Sequence, residues 1–253
     1  SNGLSRVQRT ERILKHHLRT AGIMNDFSFI IFQKSQHRLA QRGFTFVNFN
    51  YRLAPEYKYP TALEDINQVF LFIRDHAEEY AIDTNNIFVV GDSAGAQLAT
   101  QYLIICTNPE YAKHFTFIPS GIKVRAVGLN CGVYDTSDPE HTSPNDVFLE
   151  YTGKEILEDT EKARNMRDEL DSLKYMTGDF PPAFVTSAVH DFILKNAQPM
   201  YEKLQSLGID SEVHIYGSKE KEEVGHVFHV NCRLPEADQC NDEECAFFNR
   251  YVV

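Results

Sequence analysis

No stretch of this 253-residue sequence approaches the roughly 18–20 consecutive apolar residues that a membrane-crossing helix requires. The longest candidate run, 27–32, is far too short, which excludes a transmembrane helix and any expectation of stable membrane insertion. Positive charge is scarce as well. Lys and Arg number 25 against 36 Asp and Glu, and the resulting net charge of −11 argues against a nucleic-acid-binding surface. Cysteines are few and odd in number, and the scatter of Cys106, Cys131, Cys232, Cys240 and Cys245 argues against a disulfide framework. Free thiols in a reducing, cytoplasmic compartment are the simpler expectation. Cys240 and Cys245 lie near His226 and His229 in sequence, but their spacing matches no common zinc pattern, so no metal is expected. Tryptophan, internal repeats and low-complexity tracts are absent. What remains, 42% hydrophobic and 24% charged, is an ordinary globular composition with length for one large α/β domain or two small ones.

The charge is unevenly placed. Residues 1–42 carry eight basic residues (Arg6, Arg9, Arg12, Lys15, Arg19, Lys34, Arg38, Arg42) against Glu11 and Asp26, so a segment of +6 precedes a remainder of −17. Within it Leu4, Val7, Leu14 and Leu18 fall roughly on one helical face among arginines, which reads first as a solvated surface helix. The sequence opens Ser1-Asn2-Gly3 with no Met, which reads as an internal or trimmed start.

From residue 43 the pattern sharpens. Residues 44–49 form a short aromatic and β-branched run that predicts a strand. Leu63, Ile66, Phe70, Ile73 and Ala77 recur at intervals of three and four, one face of a helix over 61–79. Residues 87–90 are continuously apolar, as a strand buried on both faces must be, and a helical stretch over 96–106 follows. Further strands are predicted at 124–129, 183–188 and 212–216, with a helix over 196–207 that stops at Gly208. The run 27–32 reads as a strand or a helix covering the sheet. Strands alternating with helices imply a mostly parallel sheet covered on both faces, with the charged, largely helical stretch 136–180 inserted over its edge.

Between the strand at 87–90 and its helix stands Gly91-Asp92-Ser93-Ala94-Gly95. In that context the two glycines permit a turn sharp enough to thrust the serine out at the end of the sheet, as in a nucleophile elbow. The N–H of Ala94 and the helix N-terminus would then face a developing oxyanion. A serine hydroxyl needs a base to take its proton, and in this architecture the chain order is Ser, acid, His, on loops after later strands. Asp191 follows the strand at 183–188, and His226 lies beyond the strand ending at 216. His190 precedes the acid and breaks that order. His229 remains a rival base, and Asp135, one strand too early, a rival acid.

Tyr51-Arg52-Leu53-Ala54-Pro55-Glu56, with Tyr59-Pro60 and Asp65, resembles the signature of the hormone-sensitive-lipase-like esterases of the α/β-hydrolase superfamily. Gly91-Asp92-Ser93-Ala94-Gly95 is similar to that family's elbow, including the Asp before the serine, and Asp191 and His226 match its acid and base. The resemblance covers about residues 37–253 and is closest to bacterial intracellular esterase/lipase-type proteins. It implies an α/β-hydrolase fold with 136–180 as a helical cap, no cofactor, and hydrolysis of a small-molecule acyl ester. A homodimer is compatible with it. Tyr51, Arg52, Pro55, Glu56 and Asp65 are expected to serve as scaffold, with Arg52 at least partly buried against a carboxylate, since an unpaired buried guanidinium is costly. One departure stands out. Such esterases carry a His-Gly-Gly-Gly stretch about thirty residues before Tyr51, whose N–H groups complete the oxyanion hole. Here Gly3 and Gly22 are the only glycines before Gly43, and His17 to Gly22 reads His-Leu-Arg-Thr-Ala-Gly. The amino-terminal segment is then divergent, altered or incomplete, and the chain either a weakened hydrolase or a ligand-binding relative. Amide, formamide or sugar-ester hydrolysis by the same residues is a further alternative.

Overall fold

The computed structural model of the chain describes residues 27–31, 42–134 and 147–253, the first five by their backbone. The amphipathic pattern over residues 4–18, the stretch 17–22, the resumed match at His37, Asp135 and the first part of the 136–180 insertion lie outside the described residues.

Six parallel strands form one sheet in the order β2-β1-β3-β4-β5-β6: β1 (Phe27–Ile31), β2 (Phe44–Asn48), β3 (Ile87–Asp92), β4 (Val124–Asn130), β5 (Ala183–Ala188) and β6 (Ser211–Tyr216). The run 27–32 therefore contributes a strand. Parallel neighbours need crossovers, and these supply the helices: α1 (Thr61–His76) and α2 (Ala94–Thr107), the single-turn α3 (Pro109–Ala112), α4 (Val147–Thr152) and α5 (Glu161–Leu170) between β4 and β5, α6 (Ala197–Ser206), and α7 (Pro235–Asn249) after β6. β2 lies on one side of β1 and β3 on the other, so the direction of winding reverses there. In open parallel sheets the carboxyl-terminal edge at such a reversal is where ligands bind.

Alternate residues of the buried strands feed two cores. Val47, Ile87, Val89, Val127, Leu129, Ala183 and Val185 face a core shared with α1, α2 and α6. Phe44, Phe46, Phe88, Val90, Ala126 and Phe184 face Phe247 and Phe248 of α7. β3 is buried at all six positions because both its faces are covered. α2 is apolar nearly all round and is buried along most of its length, as a helix must be when it lies between a sheet and a further layer. That layer is the segment between β4 and β5. Tyr59 N–H donates to Tyr151 O at 2.8 Å, Asn108 Nδ2 to Tyr175 O at 2.8 Å, and Gln101 Nε2 to Glu169 O at 3.3 Å.

The Tyr51–Asp65 region braces the first helix. Arg52 binds Asp65 through its own N–H (2.9 Å), through Nε (2.8 Å) and through Nη2 (2.6 Å), and Nη2 reaches Glu64 at 3.4 Å. Its guanidinium also lies 5.2 Å from the centre of the Tyr57 ring. The paired side chains are 27% and 16% exposed, so the pair is largely withdrawn from water, while Pro55 and Glu56 are exposed and Tyr51 is half-buried. Hydrogen bonds to charged groups contribute about 1.5–3 kcal/mol. Arg52→Ala is accordingly expected to lower stability by about 2 kcal/mol, seen as a melting temperature reduced by about 4–8 °C, with the ranking of substrates unchanged. A large change in substrate ranking at normal melting temperature would contradict this scaffold role.

Candidate active site

The turn from β3 into α2 is built around one close approach. A β-carbon on Gly91 would lie 2.4 Å from Gly95 O and 2.7 Å from Ala96 N, both immovable backbone atoms, so only glycine fits there. The helix begins at Ala94, two residues earlier than its apolar pattern, because Ser93 takes φ +56° and ψ −119° and ends the strand abruptly. A non-glycine residue at positive φ is strained by about 1–3 kcal/mol. Ser93 N–H donates to Asn130 O at 2.8 Å, and Ala96 N–H donates to Ser93 O at 3.0 Å. Ser93 is half-buried and Ala94 exposed, and the Ala94 N–H belongs to the first turn of α2, where no intrahelical acceptor is available.

His226 Nε2 lies 2.9 Å from Ser93 Oγ, and His226 Nδ1 lies 2.8 Å from Asp191 Oδ1. The three groups thus form one series, brought together from β3, the loop after β5 and the loop after β6. Asp191 follows β5 by three residues and is buried. Ser187 Oγ donates to its Oδ2 at 2.8 Å and Ile193 N–H to its Oδ1 at 3.1 Å. Burial is the largest influence on this carboxyl and opposes its ionisation. The hydrogen bonds from His226, Ile193, Ser187 and Cys131 together outweigh it and hold Asp191 below the usual carboxylate range. The exposed Phe192 ring lies 4.5 Å from the His226 ring and covers one side of the imidazole.

The rival residues are placed elsewhere. His190 is exposed and turns its Nε2 toward Ser218 O and Lys219 O at 3.1 and 3.2 Å. His229 is buried and lies 2.8 Å from Asp92 Oδ1. Cys240 and Cys245 are buried in α7, Cys245 with Phe247 and Phe248 and Cys240 in a third, smaller cluster with Cys131, Tyr216 and Phe228. Sequence reasoning did not single out Ser187, Cys131 or Asn130. Cys131 and Asn130 stand at the carboxyl-terminal end of β4, the edge where the winding rule directs attention, whereas Ser187 inside β5 carries no such signal. Cys131 Sγ accepts the Val227 N–H at 3.3 Å, and its sulfur, an Asp191 oxygen and a His226 nitrogen lie within 4.8 Å of one another. This is the one set of metal-type ligands so grouped among the described residues. The histidine and the carboxylate in it are already bonded to each other.

Beneath the elbow lies a buried polar layer. Asn130 Nδ2 donates to Glu244 Oε1 at 3.1 Å and approaches Asp92 Oδ1 at 3.4 Å, while Thr186 Oγ1 donates to Asn130 Oδ1 at 2.7 Å. Glu244 enters from α7 into space left by Gly128, where a β-carbon would meet Glu244 Oε1 at 2.0 Å. Burial pushes the Glu244 carboxyl up to about 7, against the opposing pull of His229 and Asn130. A cavity of about 800 Å³ lies at the opposite, amino-terminal end of the sheet, bordered by Val124, Arg125, Pro182 and Tyr251.

A sequence profile of the alpha/beta hydrolase fold matches residues 32–230. An acetyl esterase of Salmonella paratyphi B is 30% identical over 182 residues, and one of Salmonella typhi is 30% identical over 181 residues. Each alignment covers 69% of this chain and 54% of the relative, so the chain spans about half the length of the curated relatives it matches. Among solved structures, esterase B from Lactobacillus rhamnosis superimposes with a TM-score of 0.77 at 20% identity, over 89% of this chain and 76% of that one. A carboxylesterase from Lactobacillus plantarum gives 0.67 at 19% identity, over 90% and 84%. At these identities the structural likeness is one of fold.

The buried layer has a pH signature. With its folded value near 7 and an ordinary value of 4.5, Glu244 keeps a proton in the native state that the unfolded chain releases. Its contribution to stability is therefore full below about 4.5 and is lost as pH rises to about 7. Glu244→Gln retains the acceptor for Asn130 and removes the titration. Relative to the wild type, it is expected to gain stability progressively between about pH 4.5 and 7 in urea unfolding, and a constant difference across that window would refute it.

Proposed function

The chain belongs to the α/β-hydrolase fold family, and on that footing we propose that it is a serine carboxylesterase of small acyl esters. The observation that carries this reading is the unbroken series Ser93 Oγ, His226 Nε2, His226 Nδ1, Asp191 Oδ1, with separations of 2.9 and 2.8 Å. The acetyl esterases among its relatives support a short acyl group.

In the proposed reaction Ser93 Oγ attacks the acyl carbonyl while His226 Nε2 takes its proton. Asp191, held ionised by its four donors, keeps the Nδ1 proton in place and stabilises the imidazolium that forms. The Ala94 N–H and the positive end of α2 stabilise the oxyanion. Collapse of the tetrahedral intermediate breaks the ester C–O bond, and His226 returns the proton to the departing alcohol. Water then attacks the acyl-serine, giving a proton to His226. The bond from the acyl carbon to Ser93 Oγ breaks, His226 returns that proton to Oγ, and the acid is released. The segment between β4 and β5, lying over α2, acts in this reading as the cap that shapes the acyl and alcohol pockets.

Hydrolysis of a short chromogenic ester tests the proposal. Ser93→Ala and Asp191→Asn are each expected to lower turnover by about 10⁴-fold or more. An organophosphonate should label Ser93 stoichiometrically in the wild type. Equal rates for wild type and Ser93→Ala would sink the reading. A folded wild type that takes no phosphonate would instead favour a ligand-binding protein on the same scaffold.

A further inference from the structure

The reaction above uses His226 and leaves a second histidine, three residues on, without a task. His229 is 1% exposed, as is Asp92, and its Nε2 lies 2.8 Å from Asp92 Oδ1. Asp92 is joined by one peptide bond to Ser93, and His229 is joined to His226 by a short turn in which Val227 has φ +56°. Both reacting residues therefore sit beside strained, left-handed backbone, at Ser93 itself and at Val227, which would relax if it were not held. The far side of His229 is fixed too, since Asn241 Nδ2 donates to His229 O at 2.9 Å. Asp92 Oδ2 and His229 Nδ1 meet no hydrogen-bond partner among the described residues, and beside His229 only the long 3.4 Å approach of Asn130 Nδ2 reaches Asp92 Oδ1, so the orientation of each side chain depends chiefly on the bond between them.

We propose that the Asp92–His229 pair is a positioning clamp that sets the distance between Ser93 Oγ and His226 Nε2. This inference rests on the serine-hydrolase reading. The titratable groups acting on His229 are Asp92 on β3 and Glu244 on α7, with the thiols of Cys131 and Cys240 kept protonated by burial close by. Burial drives the imidazolium proton off, but the two carboxylates outweigh it and hold His229 above its ordinary value. While His229 carries its proton the pair is a charge-assisted bond, stronger and shorter than a neutral one. It weakens when His229 loses its proton. His229 and Asp92 touch no reacting atom; they act through the backbone of Ser93 and of the His226 turn, where a misplacement of about 1 Å is enough to slow turnover by about 10²-fold.

Two variants separate this role from mere stability. His229→Gln keeps an N–H donor toward Asp92 but does not titrate, and His229→Leu removes the donor. Rates with a short chromogenic ester are measured from pH 6 to 10 and divided by the sites titrated with organophosphonate. The low-field proton resonance of His226 Nδ1 is followed over the same range. His229→Leu should lose about 10²-fold in kcat with KM within about twofold, whereas His229→Gln should recover most of the loss. The wild-type kcat and resonance should fall away on the alkaline side, and those of His229→Gln should not. The clamp is overturned if His229→Leu keeps full kcat per titrated site, or if His229→Gln shows the wild-type alkaline limb. Should His229→Leu fail to fold, the pH comparison of wild type with His229→Gln decides alone. If the wild type neither hydrolyses ester nor takes phosphonate, the hydrolase reading fails, and the resonance in wild type and His229→Gln still judges the clamp: a difference upholds it and identity overturns it.

Discussion

A β-carbon on Gly91 would lie 2.4 Å from Gly95 O, and the rest of the site follows from that near-contact. Because the chain doubles back so tightly, β3 gives way to α2 with no loop between them, and the residue at the corner is forced to positive φ. A serine there stands clear of both elements, at the mouth of the helix whose first N–H groups have no partner within it. The strain is tolerable because β3 is buried on both faces and α2 is buried nearly all round, so neither can shift to relieve it. The chemistry of the site is thus held by packing on elements far larger than the turn itself.

Legibility in the sequence tracked the range of each interaction. α1 was readable because Leu63, Ile66, Phe70 and Ile73 write a helical face locally, and β5 because its six residues are apolar or small between clear breaks. The start of α2 was read two residues late, since its first turn, Ala94-Gly95, carries no bulky apolar residue to announce a helix. Ser93, Asp191 and His226 could be nominated because chain order and strand ends constrain where such groups stand. The partners Ser187, Asn130 and Cys131 could not. The contacts of Asn130 and Cys131 depend on the register of β4 against β5, which sets Asn130 beside Thr186, and no local pattern encodes that pairing. Ser187 lies only four residues before Asp191, but a small residue inside a buried strand carries no sign of the bond. His229 was weighed as a base on spacing alone. Its bond to Asp92, 137 residues away, belongs to the fold.

The polar layer under the elbow shows two solutions to one electrostatic problem. Asp191, close to the surface, is kept ionised by four donors that offset its burial. Glu244, enclosed between Gly128 and Asn130, has fewer, and its carboxyl is driven toward the neutral form. The difference has two causes, the deeper burial of Glu244 and the larger number of donors around Asp191. It leaves two carboxylates and one imidazole, Asp92, Glu244 and His229, sharing a dry space where each proton affects the other two.

The layer over α2 is fastened unevenly. Its later half is tied to the helix from below by Gln101, whose Nε2 also serves Tyr59 and Tyr111, and by Asn108 through Tyr175 O. Its earlier half, α4 and the turn after it, is joined to the Tyr51–Pro60 loop by the Tyr59–Tyr151 backbone bond and an exposed Lys58–Glu155 pair. Lifting the later half would strand the amide of Gln101 in a dry interior, and lifting the earlier half would uncover Ile156, which is 2% exposed, and the apolar faces of Leu149 and Tyr151 packed against the same core. Both halves of the layer are thus continuous with the core beneath them, Ile156 at one end and Leu170 and Met176 at the other.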